Sequence, residues 1–258
     1  MSAKGRNVWF ELLSNDVEGS TSFYTEVLGW KARSWEDADP NMPYTMFVLG
    51  ESPIGGLMQI PEDAQKMGAP PQWLAYTSVD DVDAVAQRTK KLGGSIHRAP
   101  FDIPKVGRLA ILADPQGATF AVCKTETEME TPPEGPGVFS WAELNTTDWE
   151  SAWKFYKDLF GWQEKSKMDM GPGGTYFMFQ HADASTKGGM SNMAKQMNLP
   201  PHWLYYVTVE DIDETIRRID QNGGKVMNGP MDIPGNDVIA QCEDPQGALF
   251  AIYAKKKR

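Results

Sequence analysis

The sequence predicts an α+β protein made of four βαβββ units, grouped as two successive domains. Three observations point there. An ordered series of motifs occurs twice along the 258 residues. Each copy carries the same strand–helix plan twice. A stretch rich in Pro, Gly and Glu separates the copies. The expected boundaries are 1–124 for the first domain, 125–137 for the linker and 138–258 for the second domain.

The repeat is explicit. Trp9-Phe10-Glu11-Leu12 answers Trp141-Ala142-Glu143-Leu144. Phe23-Tyr24 and Gly29-Trp30 answer Phe155-Tyr156 and Gly161-Trp162. Pro70-Pro71-Gln72-Trp73-Leu74 answers Pro200-Pro201-His202-Trp203-Leu204. Asp114-Pro115-Gln116-Gly117-Ala118-Thr119-Phe120-Ala121 differs from Asp244 to Ala251 only where Leu249 replaces Thr119. Thr131-Pro132-Pro133-Glu134-Gly135-Pro136-Gly137 has linker composition.

The elements follow in order. Each copy opens on a short apolar and aromatic strand. Asp16 and Asp148 are N-caps, because a short carboxylate accepts from the first free helical N–H groups. Trp149, Ala152, Trp153, Tyr156, Leu159 and Phe160 then form one helical face. Gly161 stands where the chain must turn left-handed. Extended segments follow at Tyr44 to Leu49 and Gly55 to Ile60, and at Tyr176 to Gln180 and Gly188 to Asn192. The second half of the first copy begins with a strand at Trp73 to Val79 and a cap at Asp81. An apolar stripe of Val82, Val85, Ala86 and Thr89 leads to Gly93. Strands at Ser95 to Arg98, Arg108 to Leu112 and Thr119 to Cys123 complete the unit, with the Asp-Pro-Gln-Gly turn before the last.

Composition bounds the function. The chain is 41% hydrophobic and 23% charged, enough for a packed core. A net charge of −10 argues against nucleic acid and anionic membranes as partners. The basic tail Lys255-Lys256-Lys257-Arg258 reads as a solvated end. Cys123 and Cys242 fall at different places in the copies and read as buried, reduced thiols. With no signal-like start and no long apolar run, the expected location is the cytoplasm. The expected assembly is a monomer or homodimer.

The combination of the opening strand, Asp-x-x-x-(small)-x-x-Phe-Tyr…Gly-Trp and the closing Asp-Pro-x-Gly resembles the vicinal-oxygen-chelate superfamily. That superfamily contains glyoxalase I, bleomycin-resistance proteins and extradiol dioxygenases. The tandem Trp-x-Glu-Leu form is similar to a bacterial glyoxalase-like subgroup. The resemblance implies glyoxalase-like domains in which paired units enclose a ligand cavity. It also implies a divalent metal held by His, Glu or Gln on the first and last strands. At those positions this sequence has Trp9, Leu74 and Ala121, and Trp141, Leu204 and Ala251. None of these side chains can coordinate such an ion. No cofactor is therefore expected. A metal held by Glu143 and His202 is the variant left open.

With Trp9 and Trp141 at the position where the resemblance implies a ligand, strand alternation assigns what faces the cavity. Trp9, Glu11 and Leu13 share one face, as do Trp141, Glu143 and Asn145. Tyr76 and Tyr206 are the phenols contributed by the second halves. A carboxylate among apolar rings is costly to ionise, so Glu11 and Glu143 are the candidate catalytic bases, with the tyrosines steadying an oxyanion. Alternatively the two Glu are structural acceptors. The two Trp either stack on a flat ligand or fill the space of the missing metal. Met190, Met193 and Met197 read as soft filler rather than a lid. Gly171-Pro172-Gly173-Gly174 reads as a turn. Two functions compete. One is a small-molecule binder of the bleomycin-resistance kind, using Trp9, Leu13, Tyr76, Trp141, Asn145 and Tyr206 as ligand contacts. The other is a lyase or isomerase of lactoylglutathione-lyase type acting on a small carbonyl compound, with Glu11 and Glu143 as base or as displaced metal ligands of a glyoxalase-type metalloenzyme.

Overall fold

The structure, a computed structural model, describes residues 4–127, 134–181 and 187–256. Part of the expected linker, 128–133, and the tail residues Lys257 and Arg258 lie outside the described residues. The first repeat runs β1 (Asn7–Ser14), α1 (Val17–Leu28), β2 (Lys31–Ser34), β3 (Thr45–Leu49), β4 (Ser52–Gln59) and α2 (Glu62–Lys66). Its second half is β5 (Gln72–Ser78), α3 (Val82–Lys91), β6 (Ser95–Ile103), β7 (Gly107–Ala113) and β8 (Thr119–Thr125). The second repeat runs β9 (Phe139–Asn145), α4 (Trp149–Phe160), β10 (Gln163–Asp169), β11 (Thr175–Gln180), β12 (Lys187–Ser191) and α5 (Met193–Met197). It closes with β13 (His202–Thr208), α6 (Ile212–Gln221), β14 (Lys225–Ile233), β15 (Asp237–Glu243) and β16 (Leu249–Lys255).

These strands form two eight-stranded sheets with the same order, β2-β3-β4-β1-β5-β8-β7-β6 and β10-β11-β12-β9-β13-β16-β15-β14. The fold is therefore α+β with four βαβββ units, as the repeat implies. The first and last strands of each unit pair in parallel, for example Glu11 opposite Gly56 and Tyr76 opposite Ala121. A parallel pair needs a crossover, and the helix plus hairpin of each unit supplies it.

Local sequence explains the helices. Asp16, Asp81, Asp148 and Asp211 each accept from the backbone N–H three residues on, at 2.9 to 3.1 Å. Each cap is worth about 1 kcal/mol. Gly29 and Gly161 end their helices in the left-handed region, with φ of 70° and 72°. Gly171–Gly173 is a single 3-10 turn. β6 extends past the expected Arg98 to Ile103 and carries Pro100 among register shifts, which an edge strand tolerates.

The compact bodies do not follow the repeats. One body combines α3 and β5–β8 with α4 and β9–β12; the other combines α1 and β1–β4 with α6 and β13–β16. The divisions fall inside β1, β5, β9 and β13, after Trp9, Trp73, Ser140 and Leu204. In the first body Ala86, Leu112, Phe120, Tyr156, Phe160, Phe177 and Met190 share one buried core. Met190 is thus the filler expected of it, while Met197 is exposed. In the second body Tyr24 packs edge-on against Trp73 and Phe250, and Phe10 stacks on Phe139 with centroids 4.0 Å apart.

Each body is also tied by the same buried polar relay. In the second, Trp73 Nε1 donates to the Tyr24 hydroxyl (2.8 Å), which donates to Asp244 Oδ2 (3.1 Å). In the first, Trp203 Nε1 donates to Tyr156 (3.0 Å), which donates to Asp114 Oδ2 (3.2 Å). The other oxygen of each Asp accepts from two backbone N–H groups of its own Asp-Pro-Gln-Gly turn. Burial pushes both carboxyls above the usual carboxylate range. Burial, reinforced by Asp244, pushes the Tyr24 phenol well above its ordinary value. Gln116 continues the tie, its Oε1 accepting from Thr147 Oγ1 (2.6 Å) and Asp148 N (2.7 Å).

Candidate functional site

On β9 of the first body, Trp141, Glu143 and Asn145 point to one face, as alternation requires. Glu143 is buried, at 7% exposure. Asn145 Nδ2 donates to its Oε1 (3.2 Å), and the Tyr176 hydroxyl donates to its Oε2 (2.8 Å). Trp141 Nε1 donates to the same Tyr176 oxygen (2.9 Å), so indole, phenol and carboxylate form one chain. Ser191 Oγ approaches Asn145 Oδ1 at 3.4 Å. Both carboxylate oxygens therefore receive a donor. Trp141 and Tyr176 remain half-buried, so ring surface stays available.

Glycine makes this arrangement fit. Gly189 lies opposite Glu143 in the β12–β9 register, and a Cβ there would stand 2.2 Å from the Tyr176 hydroxyl. In the second body Gly56 lies opposite Glu11, and a Cβ there would stand 1.9 Å from the Tyr44 hydroxyl. Glu11 is likewise 7% exposed. Each repeat thus places a phenol from the segment leading into its third-strand hairpin over a bare glycine beside the glutamate.

The remaining expected residues divide by body. In the first, Trp9 packs with Leu74, Tyr76, Leu109, Ile111, Ala121 and Cys123 in one apolar cluster. In the second, Leu13 is half-buried on β1, and Tyr206 accepts from Gln241 Nε2 at 3.3 Å. The phenol bonded to Glu143 is Tyr176, which the sequence reading did not single out. Its signal was present: Tyr44 and Tyr176 recur at the common offset, and the pairs Gly55-Gly56 and Gly188-Gly189 recur beside them.

The family metal does not fit these residues. Its positions in the first body hold Trp9, Leu74 and Ala121 within an apolar cluster. Among the described residues no three His, Cys, Asp or Glu side chains come together as a metal-binding group. His202 Nδ1 is hydrogen-bonded with the Pro200 carbonyl at 2.9 Å. Cys123 and Cys242 are free and buried, and burial pushes both thiols up to about 12. No helix among the described residues is long and apolar enough to cross a membrane.

Four βαβββ units with a ring-flanked glutamate on each repeat's first strand define a tandem protein of the vicinal-oxygen-chelate class. The chain belongs to the Glyoxalase/Bleomycin resistance protein/Dioxygenase superfamily, which it matches over residues 6–122 and 138–252. It is 31% identical over 250 residues to a Mycobacterium tuberculosis protein named "Putative glyoxylase CFP32", covering 96% of this chain and 94% of that one. It is 31% identical over 261 residues to the anthracycline biosynthesis protein DauV of Streptomyces sp. (strain C5), covering 97% and 93%. Among solved structures, the Mn(II)-bound glyoxalase from Novosphingobium aromaticivorans has the same fold. It superposes with a TM-score of 0.64 at 16% identity over 99% of this chain and 83% of that one.

Proposed function

We propose that this chain binds small, ring-containing oxygenated molecules on the Trp-x-Glu strand of each repeat, without the family metal. The observation that carries the reading is Glu143: a buried carboxylate held by Asn145 and Tyr176, flanked by the half-buried ring of Trp141. A carboxylate so fixed keeps lone pairs for a ligand hydroxyl or N–H, and the indole face offers stacking area. In the first repeat Glu11 with Leu13, and separately Trp9, are proposed as contacts. Tyr76 and Tyr206 are proposed as further contacts. Because two relatives are named for anthracycline biosynthesis, anthracyclines are included in the first ligand panel.

Equilibrium dialysis against such a panel, with wild type and a Glu11→Gln/Glu143→Gln variant, tests the reading. Binding weakened at least tenfold in the variant supports it; equal binding by both proteins removes it.

One arrangement favours a second reading, a lyase or isomerase acting on a small carbonyl compound. The Tyr176 hydroxyl lies 2.8 Å from Glu143, so a base and a phenolic donor stand together. In that case the Glu→Gln variant keeps its ligand but loses turnover.

A further inference from the structure

Arg98, on the outermost strand of the first body, is used differently from most arginines of the chain. Arg33, Arg88, Arg108 and Arg218 each pair with a carboxylate. Arg98 pairs with none among the described residues; its guanidinium lies over the Phe101 ring, 3.6 Å from the centroid. Strand register explains the contact. β6 bulges between Arg98 and Phe101, so both stand on one side of the sheet, opposite Ile111 and Leu109 of β7. The row from Arg98 and Ile111 continues through Ala121 to Tyr76. Leu74, Tyr76, Leu109, Ala121 and Cys123 are the buried floor of an apolar cluster, and Trp9, Phe101 and Ile111 are partly buried against it. All of these residues belong to the first body. An apolar face therefore ends in an exposed, stacked cation.

The second body builds the corresponding row from other chemistry. Asn228 stands opposite Gln241, as Arg98 stands opposite Ile111. Asn228 Nδ2 donates to Gln241 Oε1, and Gln241 Nε2 donates to Tyr206, both at 3.3 Å. That row is neutral and closed on itself by hydrogen bonds.

We propose that the β5–β8 face of the first body binds an aromatic carboxylate, its ring against Ile111 and its carboxylate on Arg98. Stacking on Phe101 holds the guanidinium plane while leaving its N–H groups directed outward in that plane. A carboxylate takes two of them in parallel, each bond about twice as strong as a neutral one. With a net charge of −10, the chain repels anions over most of its surface, and an arginine without an acidic partner is where one can be held. The inference goes beyond the reading above. It shares Trp9 and Tyr76 with that reading and needs neither glutamate.

The test uses the full chain and a matched pair of probes, 2-naphthoate and its neutral methyl ester, in equilibrium dialysis at neutral pH. Wild type should bind the acid about tenfold or more tighter than the ester at low salt, and the gap should narrow at high salt. Arg98→Gln should bring the acid down to the affinity of the ester, a split that a merely structural arginine would not produce. Ile111→Gln, which copies the second body, should weaken acid and ester by similar factors. Equal affinities in wild type, an acid preference that survives Arg98→Gln, or an Ile111→Gln variant that binds the ester as wild type does would overturn the inference. Failure of the two readings is distinguishable. Acid preference through Arg98, with hydroxylated rings bound equally with and without the glutamates, upholds this inference and removes the reading above. The reverse pattern removes only this one.

Discussion

The buried relays and the Trp-x-Glu strands of this molecule were duplicated together and have fared differently. Trp73–Tyr24–Asp244 and Trp203–Tyr156–Asp114 are the same device to within 0.2 Å in their hydrogen bonds. The strands carrying Glu11 and Glu143 keep their central residues but have exchanged the positions around them. The relays sit where any change strands a buried polar group, so both copies are held alike. Under the proposed function the Trp-x-Glu faces meet a molecule from outside, so each copy can follow its own.

The comparison is tested first by the relays. Asp114→Ala and Asp244→Ala each leave two turn N–H groups and a tyrosine hydroxyl without their acceptor. Each should lower stability by about 3 kcal/mol in urea unfolding, and by similar amounts. A large inequality would show that the relays have diverged too. Gly56→Ala and Gly189→Ala come next, because each added methyl collides with a phenol at about 2 Å. Displacing Tyr44 or Tyr176 should cost about 1–3 kcal/mol and loosen ligand binding in that repeat alone. Tyr24→Phe and Tyr156→Phe remove one hydroxyl each and should cost about 1–2 kcal/mol, again equally.

The relays also set a pH dependence. Asp114 and Asp244 have folded pKa values raised above the ordinary 3.8. Between the ordinary and raised values the folded state binds more protons than the unfolded one. Their contribution is therefore complete below about pH 3.8 and is lost as pH rises through the raised values. Comparing the urea midpoint of wild type with that of Asp114→Asn/Asp244→Asn from pH 4 upward should show this slope only in wild type. The smallest effect concerns the thiols. With both pushed up to about 12, neither Cys123 nor Cys242 should react with an alkylating reagent at pH 8 until the chain is unfolded. Mass spectrometry reads the outcome.

Much of the fold was legible because its determinants are local. Asp16, Asp81, Asp148 and Asp211 cap helices they precede, and Gly29 and Gly161 end them. β2 and β10 were not placed, since Lys31-Ala32-Arg33-Ser34 is exposed throughout and Gln163–Asp169 nearly so, and neither alternates. The five-residue helices α2 and α5 are too short to show a period. The face holding Trp141, Glu143 and Asn145 followed from alternation alone. Tyr176 did not, because its bond to Glu143 depends on β11, β12 and β9 lying side by side. The glycine beneath it acquires a purpose only then. The relays join residues up to 220 positions apart, and no local pattern announces them.

The claim at the centre is that a fixed glutamate on the opening strand recognises the ligand. A crystal structure of the chain with 2,3-dihydroxynaphthalene tests it most directly. The account predicts the ring against Trp141 and a hydroxyl within hydrogen-bond distance of Glu143, with Asn145 and Tyr176 still in place. A ring bound elsewhere, with Glu143 contacting none of its oxygens, would contradict it.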